Sequence, residues 1–196
     1  MDLTDKFPKF TSYPPVPNWY SFNIAAIVEP DFFLYATRNI VVVLSLSGLR
    51  YFTSFIASKD KKVVALAAHG TFCVTAGSDN IVRVWNLILG SHLTSHSAHQ
   101  AEITTLKLIR NGSTVISGDK SGKIVIMDLF AGGKLKSETK VKAEVTSIAT
   151  TVVDDQDYVA VGYGNGLIFV EKLFGKFQPH LLSYVQHQNS WKQQQK

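Results

Sequence analysis

Two adjacent aromatic residues, Trp19 and Tyr20, stand directly after Asn18 and behind prolines at positions 14, 15 and 17. Exposed rings of this size are costly in water unless something stacks on them. Single-stranded nucleic acid does so, its unstacked bases resting on aromatic planes beside cations. The prolines hold the approach extended and limit the entropy lost on binding. The same residues admit a second use, with Trp19 packed under the first strand as a plug. Three other groups invite chemistry and fail on context. His92, His96 and His99 have a spacing that suits a metal on a helix, but they read as an inter-repeat loop with no cysteine beside it. Asp154-Asp155-Gln156-Asp157 lacks the later glycine and terminal glutamate of a calcium loop and reads as a solvated hairpin turn. Gly162-Tyr163-Gly164-Asn165-Gly166 sits between strands rather than ahead of a helix, so it reads as a turn and not a phosphate loop. No catalytic constellation, metal, cofactor or small-molecule substrate is expected. The chain reads as a recognition protein, not an enzyme.

The elements that must position these residues repeat. Ala76–Leu87, Ser117–Leu129 and Gly162–Leu173 align, each closing on a leucine, with spacings of 42 and then 44 residues. Val63-Val64-Ala65-Leu66, Ile103-Thr104-Thr105-Leu106 and Val145-Thr146-Ser147-Ile148 recur 40 and 42 residues apart. A degenerate copy, Phe33 to Leu46, precedes them. Short β-branched runs such as Ile24–Val28, Val63–Ala67, Phe72–Ala76 and Ile81–Trp85 are bounded by turn residues and read as strands. Asp79-Asn80, Lys120-Ser121-Gly122 and Asn165-Gly166 are tight-turn chemistry, where Asn or Gly tolerates a positive φ. No stretch sustains a helical apolar period. A period of about 40–45 residues with a Trp-Asp-like ending is the signature of WD40 repeats, so the expected fold is all-β, a partial WD40-type β-propeller of about four blades.

In such repeats a His, a Ser or Thr, an Asp and a Trp form one buried hydrogen-bond network that must be satisfied as a set. The second unit has Asp79 and Trp85 with Thr75 as the hydroxyl, but Lys59 where His is expected. The third has His99, with Ser121 and Met127 read at the Asp and Trp positions. The fourth has Asn165 and Glu171 there.

The 196 residues suffice for one domain with a substantial core, but four units of this length consume them. A propeller removes its strand edges by repeating until it closes, so a piece of a longer propeller or a truncated product is expected. The chain divides into a Pro-rich leader at 1–20, repeats over 21–173, and a polar, Gln-rich tail at 174–196 that is unlike any repeat and is expected to be disordered. Net charge is +5, which is compatible with an anionic partner. Its clusters, Lys59/Lys61/Lys62 and Lys134/Lys136/Lys140/Lys142, read as inter-strand loops, solvated or touching phosphate. Cys73 falls in an expected strand and reads as a buried small hydrophobe in a reducing compartment. The first residues, Met1 to Lys6, are polar, with no signal-peptide pattern, and the longest apolar run, Ile40–Leu44, is far short of a membrane span. The expected address is cytoplasm and nucleus.

Taken together, Pro14–Tyr20, Phe33–Arg38, Thr75–Asn86, Ser97–Leu106, Val115–Gly122 and Tyr158–Ile168 resemble the start of the gem-associated protein five family, the fifth Gemins of the SMN complex. The likeness covers about residues 13–173. The repeat motifs are shared by many propellers, whereas the Pro-rich Asn-Trp-Tyr leader is more specific. The resemblance implies joined propellers that recognise small nuclear RNA through its uridine-rich Sm site and its cap, with SMN complex proteins as partners. It further implies roles in spliceosomal particle assembly, messenger RNA contact and translation, and residence in nuclear bodies. It places base-stacking rings at Trp19 and Tyr20 and an RNA-facing cation at Arg38. The family's other RNA contacts lie in blades this chain lacks, so the isolated chain is expected to bind RNA weakly or not at all. The alternatives are a generic WD40 scaffold for protein partners and a truncated isoform without activity of its own.

Overall fold

The computed structural model describes residues 17, 18, 21, 23–109, 112–129 and 134–173. Trp19, Tyr20 and the tail from residue 174 lie outside these, as does most of the leader. The described residues contain no helix and form four antiparallel sheets of strands consecutive in sequence. The first holds β1 (Ala25–Val28), β2 (Phe32–Thr37), β3 (Ile40–Ser45) and β4 (Arg50–Ile56). The second holds β5 (Val63–His69), β6 (Phe72–Gly77), β7 (Val82–Asn86) and β8 (Ser91–His96). The third holds β9 (Ile103–Ile109), β10 (Thr114–Asp119), β11 (Lys123–Asp128) and β12 (Lys134–Lys140). The fourth holds β13 (Val145–Val153), β14 (Gln156–Tyr163) and β15 (Ile168–Lys172).

The sheets stack in sequence through their first strands, β1 on β5, β5 on β9 and β9 on β13. Three apolar clusters fill the spaces between them. Leu34, Val41 and Val43 of the first sheet meet Leu66, Cys73 and Trp85 of the second. Val74, Val82 and Val84 meet Ile103, Leu106 and Met127, and Ile116, Ile124 and Ile126 meet Ile148, Val159 and Tyr163. The middle strands β6 and β10 are buried along almost their whole length, with apolar residues packed against the neighbouring sheets and Thr75, Ser117 and Asp119 buried in hydrogen bonds.

The marker leucines share one geometry. The N–H of Leu46 donates to Asp31 O at 2.8 Å, Leu87 to Thr71 O at 2.8 Å, Leu129 to Ser113 O at 2.9 Å and Leu173 to Asp157 O at 2.9 Å. Each bond ties the end of a third strand to the hairpin between the first and second, so the degenerate first unit is built as the others are. The turn residues also behave as their chemistry requires: Asn80, Gly122 and Gly166 have φ of 63°, 84° and 83°.

Two sequence placements change. His92 and His96 lie in β8, not in a loop, because the outermost strand is solvent-facing and tolerates polar residues. Lys134, Lys136 and Lys140 likewise run along β12, and only Lys142 of that cluster follows the strand. The Asp154-Asp155 turn is a hairpin, with both residues exposed at positive φ.

Candidate nucleic-acid interface

Two described residues flank the aromatic pair, Asn18 and Ser21; the Ser21 N–H donates to Asn18 O at 2.9 Å, and Asn18 is tightly held. It is 3% exposed. Its Oδ1 accepts from the Arg38 N–H at 2.6 Å, and its Nδ2 donates to Arg38 O at 3.2 Å and Val63 O at 3.0 Å. Its own N–H donates to Ala36 O at 3.1 Å. Arg38 occupies the β2–β3 turn at φ 51°, a left-handed conformation that bulky residues adopt only when their surroundings hold them. The Asn18 amide does this by meeting both backbone polar groups of Arg38. Sequence reasoning named Trp19, Tyr20 and Arg38 and passed over Asn18 as a role-bearing residue. An amide carries both a donor and an acceptor, and that was the available signal.

The Arg38 turn also meets the loop that enters the second sheet. Val63 N–H donates to Arg38 O at 2.7 Å and Ala57 N–H to Asn39 O at 2.8 Å. The Asn39 amide donates to Ser58 O at 2.8 Å and Lys59 O at 3.3 Å. These bonds bring exposed Arg38 to the same rim as Lys59, Lys61 and Lys62. Asp60 is the acidic residue within that loop, 3.8 Å from Lys61. Beside the loop a cleft of about 600 Å³ opens, lined by Lys59, Asp79, Arg83, Trp85, His92 and Ser95.

Farther round, the rim changes sign. A cleft of about 450 Å³ is lined by Asn23, Glu102, Thr104, Lys120, Glu144 and Thr146. Lys120 is paired with Glu102 at 2.8 Å, and the Glu102 carboxylate holds the ammonium above its usual pKa. Asn23 forms a parallel bridge to Ala65, and its amide donates to Thr104 O at 2.9 Å, so the chain ahead of β1 crosses the starts of β5 and β9.

Beneath the rim the buried polar networks differ from sheet to sheet. In the second sheet Trp85 Nε1 donates to Thr75 Oγ1 at 3.0 Å, the hydroxyl the sequence assigns to it. Asp79 turns to Arg83, at 3.1 and 2.6 Å. Burial pushes the Asp79 carboxyl up, but the Arg83 hydrogen bond and charge outweigh it and hold the carboxyl below its ordinary value. In the third sheet the acid is not replaced by Ser121. Asp119, two residues after Ser117, takes the role: His99 Nδ1 lies 2.8 Å from Asp119 Oδ2, and Nε2 lies 2.7 Å from Ser117 Oγ. Ser121 instead donates to Asp119 Oδ1 through its N–H and its hydroxyl. Buried Met127 stands where Trp85 stands in the second sheet. Cys73 is fully buried, which drives its thiol pKa far up and leaves it an inert part of the core. Among the described residues, no group of three or more His, Cys, Asp or Glu is placed to hold a metal ion.

Comparison with known proteins agrees with this architecture. The model of the WD domain, G-beta repeat, matches residues 50–86 and 90–128. Gem-associated protein 5 of Homo sapiens is 22% identical over 172 residues, covering 80% of this chain and 11% of that protein. The small ribosomal subunit protein RACK1 of Caenorhabditis elegans is 37% identical over 62 residues, covering 32% of this chain and 19% of that protein. This chain therefore spans about a tenth to a fifth of the length of these relatives. A chain in the crystal structure of the mitotic checkpoint complex superposes with a TM-score of 0.70 at 16% identity, over 84% of this chain and 49% of that one. WD40 repeats are in general non-enzymatic scaffolds that mediate protein interactions. The chain thus carries WD40 repeats at residues 50–86 and 90–128 within an all-β architecture of the WD40-propeller kind, and it is distantly similar to gem-associated protein 5.

Proposed function

We propose that the rim over the first two sheets is an RNA-facing surface, in a protein resembling the small-nuclear-RNA recognition subunit of the SMN complex. The observation that carries this reading is the Asn18 clamp. It fixes the residue that precedes Trp19 and Tyr20 onto the Arg38 turn, on the rim that carries Lys59, Lys61 and Lys62. Rings that stack on any base, next to cations that meet phosphate, suit a single strand such as a uridine-rich Sm site. Work in spliceosomal particle assembly, in cytoplasm and nucleus, follows from the resemblance and belongs to the same proposal.

A second reading has its own support. Glu102 and Glu144 make the rim over the third and fourth sheets acidic, which repels phosphate and suits a basic protein partner. Fluorescence titration with a short uridine-rich RNA at two salt concentrations separates them. The RNA reading expects weak binding, with Kd on the order of 10⁻⁴–10⁻⁶ M, that falls with salt and is lost in Trp19→Ala/Tyr20→Ala. Binding that ignores the double substitution supports the scaffold, whereas none by a cooperatively folded sample fits either the scaffold or a site that further blades complete.

A further inference from the structure

The second and third sheets part company at one buried place. In the third, the His99 side chain is fully buried between Asp119 and Ser117. Forty residues earlier the second sheet has Lys59, which is exposed. With no imidazole there, Thr75 meets the Trp85 N–H and Asp79 turns to Arg83. The place opens as the cleft of about 600 Å³ between the first two sheets. Part of its lining is apolar. Ile56, at the end of β4, is 62% exposed, and the Trp85 ring is fixed between the rings of Phe55 at 5.1 Å and His92 at 5.0 Å. The rest is polar. Asp79 accepts one N–H from each terminal nitrogen of Arg83, whose side chain stays 17% exposed. A guanidinium carries five N–H, and among the described residues no second acceptor meets this one. Lys59 and the His92–Ser95 pair, 2.7 Å apart, complete the lining.

We propose that this cleft binds an acidic peptide, with one carboxylate on the unspent edge of the Arg83 fork and a neighbouring apolar side chain against Ile56. Asp79 holds the fork in place, so little side-chain freedom is lost when a second carboxylate arrives, and planar two-point recognition is what arginine supplies. The charges fit a single anion. Asp79 is matched by Arg83, and Asp60 lies 3.8 Å from Lys61, which leaves Lys59 to face the incoming carboxylate. The same two acids disfavour a nucleic-acid strand, which brings a phosphate with every nucleotide. A peptide can bring one carboxylate beside apolar residues. Of the lining, Lys59 alone belongs to the RNA-facing rim, so the proposal stands whether or not that rim binds RNA.

Two-dimensional NMR on the full 196-residue chain tests this, with N-acetyl-Leu-Glu-Leu-amide and its glutamine counterpart as probes. The glutamate peptide is expected to shift the Arg83 Nε–H and Trp85 Nε1–H signals with Kd on the order of 1 mM, at least about 10-fold tighter than the glutamine peptide. Arg83→Lys keeps the charge beside Asp79 and loses the planar fork, and it should weaken the glutamate peptide by about 10-fold. Should Arg83→Lys fail to fold, Lys59→Gln and Ile56→Ser carry the test, since both positions are exposed and each should weaken binding by about 3-fold or more. Equal affinity for the two peptides, no shift at the cleft up to about 10 mM peptide, or unchanged affinity in the folded variants overturns the proposal. So does a uridine oligonucleotide that moves the same signals at lower concentration than the glutamate peptide, which would give the cleft to RNA.

Discussion

His99 Nδ1 lies 2.8 Å from Asp119 Oδ2, with both side chains fully buried, and this contact joins the loop before β9 to the end of β10. Ser117 closes the other side of the ring at 2.7 Å. A ring held at both nitrogens inside the molecule leaves unmatched groups when one partner goes. Asp119→Ala is therefore expected to destabilise the chain by about 3–5 kcal/mol, read as a lower urea midpoint at unchanged slope. Thr75→Val in the second sheet removes one neutral acceptor and strands the Trp85 N–H. Its expected cost is smaller, about 1–3 kcal/mol. Equal losses in the two variants would mean that the third-sheet network has no special weight.

Acid is expected to weaken the fold through Asp79 and Asp119. For each, burial raises the carboxyl pKa, but hydrogen bonds and a cationic partner overcome it. Arg83 acts on Asp79, while His99, Ser121 and the Lys123 N–H act on Asp119. Both folded values thus lie below the unfolded one, near 3.9. The unfolded chain takes up protons first, so this stability is fully present above about pH 4 and drains as pH falls through the folded values. Urea midpoints measured from pH 6 down to pH 2 should show the loss, and Asp79→Asn should flatten it. A variant curve parallel to the parent's would remove Asp79 from the explanation.

The repeat frame was readable because a period survives substitution at single positions. Four leucines and three inner-strand runs sufficed to place the sheets, since each marks a bond or a buried face that every unit needs. The third-sheet network was misread for a physical reason. Spacing puts the acid four residues after the hydroxyl, as Asp79 follows Thr75, yet in the second sheet that acid serves Arg83 rather than a histidine. The His99 partner sits two residues after its hydroxyl, at the last residue of β10. Reach in three dimensions decided the pairing, and a linear pattern does not carry it. Asn18 was missed for a similar reason, because its partners Arg38 and Val63 are 20 and 45 residues away.

The two glycine turns offer a paired test of backbone crowding. Gly122 and Gly166 occupy equivalent turns at nearly the same φ. A Cβ on Gly122 would collide with the carbonyl oxygens of Val141 and Ala143, whereas one on Gly166 meets nothing within 4 Å. Gly166→Ala should thus cost only the left-handed backbone term, about 1–2 kcal/mol. Gly122→Ala adds a backbone clash and should exceed about 4 kcal/mol, among the largest single-site losses. Thermal unfolding of both variants checks the order, and similar melting temperatures would show that the loop after β12 yields freely.

Asn18→Ala separates the clamp from the rings it precedes. The substitution deletes hydrogen bonds to Arg38 and Val63 without touching Trp19, Tyr20 or any charge. It leaves the Arg38 turn without the amide that meets both its backbone groups, so a loss of about 1–3 kcal/mol in stability is expected. If the clamp presents the aromatic pair, RNA affinity should fall with no change in the salt slope, because the phosphate-facing cations remain. Arg38→Ala should do the reverse: the slope of log K against log salt drops by about 0.7 for a single-strand contact while the stacking contribution persists. Measuring both slopes on folded protein distinguishes positioning from charge. An Asn18→Ala chain that binds RNA like the parent, while losing stability as expected, would make the clamp purely structural and remove the observation that carries the RNA reading.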